Sequence, residues 1–200
     1  MADLAAAARG LEARHGLTSI EGGRHPGYGT ANRIVPLGDS YLELVTVADE
    51  AEAARSPFGS WVARVQSDRG RFLGWAVRTH GLDAVARRLE LTIHAGSRTT
   101  RSGDTLRWRV AGLERAAAEP SLPFFIEWAQ GTAFPGRAPA RHPLGAVRIA
   151  ELQLAGDRDR VAGWLSSRRL PITVRVGPPT VASIVLAGPA GEIVLDADQP

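Results

Sequence analysis

Twice in this chain a strand-patterned run passes directly into a helix-patterned run, and this order restricts the fold more than any other feature. "FLGWAVRT" (residues 72–79) alternates like a buried strand, and "GLDAVARRLEL" after it sets Leu82, Val85, Ala86 and Leu89 on one helical face. "VRIAELQLA" (147–155) and "DRDRVAGWLSSRRL" repeat the order, with Asp157 placed to cap the helix and Val161, Trp164 and Leu165 facing inward. Behind each helix stand strand candidates parted by turn residues: "TLRWRVAG" and "SLPFFIEWA" after the first, "ITVRV", "TVASIVLAG" and "GEIVLDA" after the second. Each repeat reads as a β-α-β-β-β unit, and the fold class is α+β.

The start of the chain gives the same order with one piece absent. A helix over "DLAAAARGLEARHG" is followed by strands near "ANRIVPL" and "SYLELVTV", and no strand precedes it. The first unit is therefore expected to lack its leading strand, whether lost, cut off by a late start codon or supplied from elsewhere. An open sheet edge would result, which predicts either a partner chain filling the gap or a lower stability. Phe58, Trp61, Val62 and Val65 recur at helical spacing in "SPFGSWVARVQSD", with Ser56 and Pro57 suited to the cap and first turn. The predicted organisation is units one and two over residues 1–130 with this helix inserted near 56–68, a Pro/Gly-rich loop over 131–145, and a third unit over 146–200.

Charge and composition narrow the function classes. The 24 cationic residues, all arginine, alternate with 21 acids and leave a formal charge of +3, so no basic face with interleaved aromatics points to nucleic acid. No apolar run approaches the roughly 20 residues of a membrane span, and the N-terminus has no secretory pattern. With no cysteine there is neither a disulfide framework nor a thiolate metal site, and a cytoplasmic setting is expected.

"GGRHPGYGTAN" (22–32) holds a G-x-G, but no Lys-Ser/Thr follows and a strand pattern comes next, which excludes a phosphate cradle. Its glycines suit a tight loop carrying His25 and Asn32 as candidate pocket walls. Glu43 in "YLELV" and Glu127 in "FFIEW" each lie between apolar neighbours in a strand. Each glutamate would be unremarkable on a solvated strand face; at equivalent points of two repeats, a pseudo-twofold pairing would aim both into one cavity. His15 and His94 read as surface or helix-end residues and His80 as a turn residue.

The repeated units, "GGRHPGYGTAN" leading to "YLELV", Ser97-Arg98 leading to "LRWR", "LPFFIEW" and "HPLG" (142–145) together resemble the glyoxalase-like domains of the vicinal oxygen chelate superfamily, from about residue 3 to 155 and more weakly to 196. The resemblance implies two units cupped around a divalent ion (Mg, Mn, Ni, Co or Zn), with Glu43 and Glu127 at the last-strand ligand positions. The first-strand position of the second unit holds Trp75 where a histidine would ligate. Two carboxylates make an oxygen-rich site unless His25 or His142 joins them. The implied activity is that of a lyase, isomerase or dioxygenase on a small oxygenated substrate, with Glu43, Glu127 and His25 as catalytic groups and Asn32, Trp75, Trp108, Arg109 and His142 as substrate contacts. Superfamily members without metal imply a second class, a small-molecule binder of the antibiotic-sequestering type built on Trp75, Trp108, Trp128 and Arg109. A third class is a site-less remnant of the fold. For assembly, the resemblance implies a homodimer.

Overall fold

Asp3 opens the first helix by accepting the amide protons of Ala5 and Ala6, and Gly16, at φ 59°, closes it in the left-handed region. This helix, α1 (Leu4–His15), leads into an antiparallel sheet of β1 (Ile20–His25), β2 (Thr30–Pro36) and β3 (Tyr41–Val47). The structure is a computed structural model that describes residues 3–66, 72–100, 103–166 and 168–197. The fold is α+β.

The glycine-rich stretch is a β-hairpin and not a loop throughout: Gly22 to His25 complete β1, and Thr30 to Asn32 begin β2. Gly27 and Gly29 turn the chain between them at φ 81° and 66°, a region that side chains disfavour. A short helix, α2 (Glu50–Ala53), precedes α3 (Pro57–Gln66), which starts as its sequence predicts, with Ser56 Oγ accepting the Gly59 amide proton at 2.9 Å. Phe58, Trp61 and Val62 bury one face of α3. The expected end of this helix at residue 68 lies outside the described residues.

The second unit runs β4 (Ala76–Arg78), α4 (Leu82–Leu89), β5 (Ile93–Thr99), β6 (Thr105–Ala111), α5 (Leu113–Ala118) and β7 (Phe124–Trp128). Its sheet has the order β4-β7-β6-β5, with β4 parallel to β7 and the other pairs antiparallel. The expected strand over 72–79 is shorter than its pattern, only Ala76–Arg78. Strand β5 and helix α5 have no counterpart in the sequence reading, and neither does β1. Strands β1 and β5 lie side by side, so the two sheets curve as one cup with these strands at its centre. At one rim β7 carries β4; at the other, among the described residues, β3 pairs only with β2. Gln66 reaches from α3 to that rim, its Oε1 accepting the Val47 amide proton at 3.0 Å.

Strands β8 (Arg148–Ala155), β9 (Ile172–Arg175), β10 (Thr180–Gly188) and β11 (Gly191–Asp196), with α6 (Arg158–Leu165) after β8, form a third sheet in the order β11-β10-β8-β9. Here the first strand sits inside the sheet, between β10 and β9, whereas β4 is an edge. Asp157 caps α6 by accepting the Asp159 and Arg160 amide protons. One apolar core joins this sheet to α4 and to the outer side of the cup through Val35, Leu82, Phe125, Leu154, Val161 and Leu186. A second core under the cup gathers Phe58, Trp61, Trp108, Val110, Leu113 and Ile126. Each fully buried large apolar side chain in these cores stabilises the fold by about 1.5–3 kcal/mol. Among the described residues no helix is long and apolar enough to cross a membrane.

The segment 131–145 does more than connect. Its 3-10 turn at Pro135–Arg137 is pinned to the β2–β3 turn by a Gly38 N–H to Gly136 carbonyl bond of 2.8 Å and by an Arg137–Asp39 ion pair of 2.7 Å. Phe134 packs on Tyr41 and Trp128, from opposite walls of the cup, and lies under the Arg78 guanidinium at 4.3 Å. The segment roofs the cup.

Candidate functional site

Strand alternation decides which side chains enter the cup. On the first sheet His25, Asn32, Ile34, Tyr41 and Glu43 share the inner face, because His25 pairs with Thr30, Asn32 with Val45 and Ile34 with Glu43 across the ladders. On the second sheet Trp108 pairs with Trp128 and Arg98 with Leu106, which brings Arg98, Trp108, Val110, Ile126 and Trp128 to the facing side. Between the two faces lies a cavity of about 50 Å³, closed further by Tyr28, Phe58 and Pro135. Such a space holds a few waters or a molecule of a few heavy atoms.

Its polar groups are few and unusual. Asn32 Nδ2 donates to Glu43 Oε1 at 2.6 Å, and His25 Nε2 lies 4.0 Å from the same oxygen. His25 Nδ1 meets Thr30 Oγ1 at 2.8 Å, and the ring is fixed edge-on by Trp108 with centroids 5.6 Å apart. Burial, with the Arg98 charge adding to it, pushes His25 down to about 4, so the imidazole is neutral near pH 7. Burial pushes the Glu43 carboxyl up, against the opposing pull of the Asn32 hydrogen bond and the Arg98 charge. Burial also raises the Tyr41 phenol, and pushes Tyr28, whose hydroxyl donates to the Ala95 carbonyl at 3.1 Å, up to about 12. Arg98 is only 5% exposed, and its guanidinium makes no hydrogen bond or ion pair among the described residues. Its nitrogens stay beyond the 4.0 Å ion-pair distance from Glu43, though each charge acts on the other.

Four of the residues expected at the site lie elsewhere. Glu127 and Arg109 pair across β7 and β6 one residue out of phase with Trp128 and Trp108, so both leave the cup by its opposite side. There Arg109 donates to Glu127 at 2.5 Å and to both oxygens of Asp83, while the Leu82 amide at the start of α4 donates to Glu127. These hydrogen bonds hold the Glu127 carboxyl below its ordinary range. The pairing of Glu43 with Glu127 is thus corrected, since the inner position of β7 that faces β3 belongs to Trp128. Trp75 donates its indole N–H to the Ser121 carbonyl at 3.1 Å and packs on the outer core. His142 accepts the Thr18 amide proton at Nδ1 and donates from Nε2 to the Pro36 carbonyl, a tie between segments and not a pocket wall.

A wider groove of about 440 Å³ touches Pro26, Arg107, Arg109 and Glu127. It is the larger space, but Arg109 and Glu127 satisfy one another there, whereas the small cavity holds the Arg98 guanidinium, which has no partner among the described residues, beside His25 and Glu43. Of the small cavity's residues, Arg98 and Tyr41 were not expected from the sequence. Arg98 sits in β5, which its sequence hides, and only its place before "LRWR" marked it.

A family model described as "Glyoxalase-like domain" matches residues 1–168. The chain belongs to this glyoxalase-like family. Within the solved structures, this glyoxalase-like protein is similar to "Crystal Structure of a hypothetical protein from Staphylococcus aureus", at 13% identity and a TM-score of 0.65 over 86% of this chain and 82% of that one. The likeness is one of fold. No curated protein matches the chain.

Many glyoxalase-like proteins hold a divalent ion in the cup, and the residues of this cup can be compared with that need. Among the described residues no group of three His, Asp or Glu side chains converges. Glu43 and His25 are the only such pair in the cavity, Glu127 is on the other side of its sheet, and a buried, unpaired arginine faces the same space. A permanent positive charge in a desolvated cavity opposes a second cation. The donor set does not fit a divalent metal, and no chemistry is derived through one.

Proposed function

We propose that this glyoxalase-like protein is a metal-free binder of a small oxygenated molecule, seated in the cup between Glu43 and Arg98 under the Phe134–Pro135 roof. One observation carries the reading: a buried arginine whose guanidinium has no partner among the described residues lines an aromatic-walled cavity that also holds a carboxyl pushed toward its neutral form. Burying an unpaired charge is costly to the fold, and a ligand that pairs with it offsets that cost. Trp108 and Trp128 supply apolar contact, and the polar groups orient what enters.

A second reading, a lyase or isomerase working by proton transfer without metal, draws on the 4.0 Å separation of His25 Nε2 and Glu43 Oε1. A carboxyl and a neutral imidazole on one oxygenated ligand could serve as acid and base.

The test is a thermal-shift and tryptophan-fluorescence screen of the purified protein against small carboxylates, carbonyl compounds and alcohols, with magnesium, manganese, nickel, cobalt and zinc as separate additions. Organic ligands should give saturable shifts that none of the metals is required for, because a ligand of the folded state alone raises the melting temperature. A saturable metal shift that disappears in Glu43→Gln, or binding of organic molecules only with metal present, would overturn the reading.

A further inference from the structure

Resting on the reading of the cup as a ligand site, we propose that its ligand presents a carboxylate-type planar oxyanion to Arg98, which makes Arg98 the residue that selects ligands by charge. Arg98 is 5% exposed, lines the cavity from the central strand β5, and its guanidinium has no hydrogen bond or ion pair among the described residues. A guanidinium presents up to five donors in a rigid plane, and a carboxylate matches that plane with two parallel bonds.

Two further groups on the cavity lack a partner among the described residues: Trp128 Nε1, a buried donor that suits an acceptor oxygen of the guest, and Asn32 Oδ1, a buried acceptor that suits a donor elsewhere on it. Tyr41 lines the same space. The one carboxyl present, Glu43, already accepts from Asn32 and stays outside ion-pair distance of Arg98, so it leaves the guanidinium unsatisfied. A second guanidinium in the neighbourhood, Arg109, is bound by Asp83 and Glu127 on the far side of the sheet and competes for nothing in the cup. Arg78, at the roof, lies over Phe134. The cavity's volume of about 50 Å³ sets the scale of what fits without movement of the roof: the oxyanion and the atoms next to it.

Charge can be separated from shape by comparing acetate with acetamide, and propionate with propionamide, at matched ionic strength with chloride as the control anion. The readouts are melting temperature and the fluorescence of the cup tryptophans. Acetate and propionate should bind saturably and at least tenfold more tightly than their amides. Arg98→Met should abolish that preference, and Arg98→Lys should keep a weakened part of it, since a point charge replaces the fork. The comparison in the unaltered protein stands even if Arg98→Met does not fold. Equal binding of acid and amide, or acid binding unchanged in a folded Arg98 variant, would overturn the role of Arg98. If neutral molecules from the screen occupy the cup and no carboxylate does, this inference fails while the binding function stands; if nothing binds, both fail.

Discussion

Arg109 stands directly across from Glu127 in the β6–β7 ladder and holds its carboxylate at 2.5 Å, on the side of the sheet away from Glu43. The two glutamates that look equivalent in the sequence therefore have opposite electrostatic characters. Glu43 is destabilised as an anion by burial; Glu127 is stabilised by Arg109 and by the start of α4.

The two isosteric amides should move stability in opposite directions. Glu43→Gln removes the charge of a carboxyl that its surroundings desolvate although its side chain is still 28% exposed, and should raise the melting temperature at neutral pH. Its gain should shrink under acid conditions, where Glu43 is protonated anyway, because a raised folded-state value costs stability from the ordinary carboxyl range upward, in full above the folded value and not at all below the ordinary one. Glu127→Gln leaves Arg109 with Asp83 alone and should cost about 0.5–1 kcal/mol, a fall of a few degrees. Calorimetry of both variants at pH 7 and pH 4 checks the pair of signs; a shared sign would refute it.

His25 should make the protein acid-sensitive. Its folded value of about 4 lies below its ordinary 6.5, so the unfolded chain binds the proton more readily, and stability falls as pH drops between these values. The loss amounts to about 3 kcal/mol across that window. Glu43 opposes it, since its protonation favours the folded state. Denaturant titrations from pH 7 to pH 4 should show the fall in the natural protein and a flatter profile in His25→Asn.

Gly96 lies opposite Trp108 in the β5–β6 ladder, and an added Cβ would come within 2.4 Å of the indole nitrogen. Gly96→Ala should push Trp108 from its place in the cup wall, at a cost of about 1–3 kcal/mol. The variant should fold, show an altered near-ultraviolet dichroism and lose most ligand binding. Intact binding would place the ligand outside the cup.

His142→Ala removes the bonds to Thr18 and Pro36 and should cost about 1–3 kcal/mol, since the Thr18 amide and the Pro36 carbonyl lose their partner. Ligand affinity in the variant should stay within a few-fold of the natural protein, which separates this tie from the substrate contact its sequence suggested. Equilibrium unfolding and ligand titration of the same preparation measure both.

What was legible in the sequence followed from periodicity. Helices α3, α4 and α6 keep their apolar spacing, and α3 and α6 their caps, with Ser56 and Asp157 both in capping contact. Strands β1 and β5 escaped notice because each carries glycine where alternation would show a side chain; Gly22 makes room for Asn32, Gly96 for Trp108, and Gly23 for the Thr99 carbonyl of the neighbouring strand. The position of Glu127 was misread because β7 is apolar on both faces, Phe125 toward the outer core and Ile126 toward the inner one. Alternation in such a strand does not reveal which phase faces the cup, and one residue of phase exchanges Glu127 for Trp128. His25, Asn32, Glu43 and Trp108 were found because their strands alternate polar with apolar or because a turn marks them. Arg98 needed three dimensions, since its meaning lies in the missing partner.

Between β7 and β8 the chain crosses the mouth of the cup, passes the clamp at His142 and only then enters the third sheet. Along the chain, the ties of His142 to Thr18 and Pro36 stand between β8 and Phe134, whereas the shared apolar core joins the third sheet directly to the back of the cup. The third sheet and the cup therefore communicate through packed side chains and not through the covalent connection that links them.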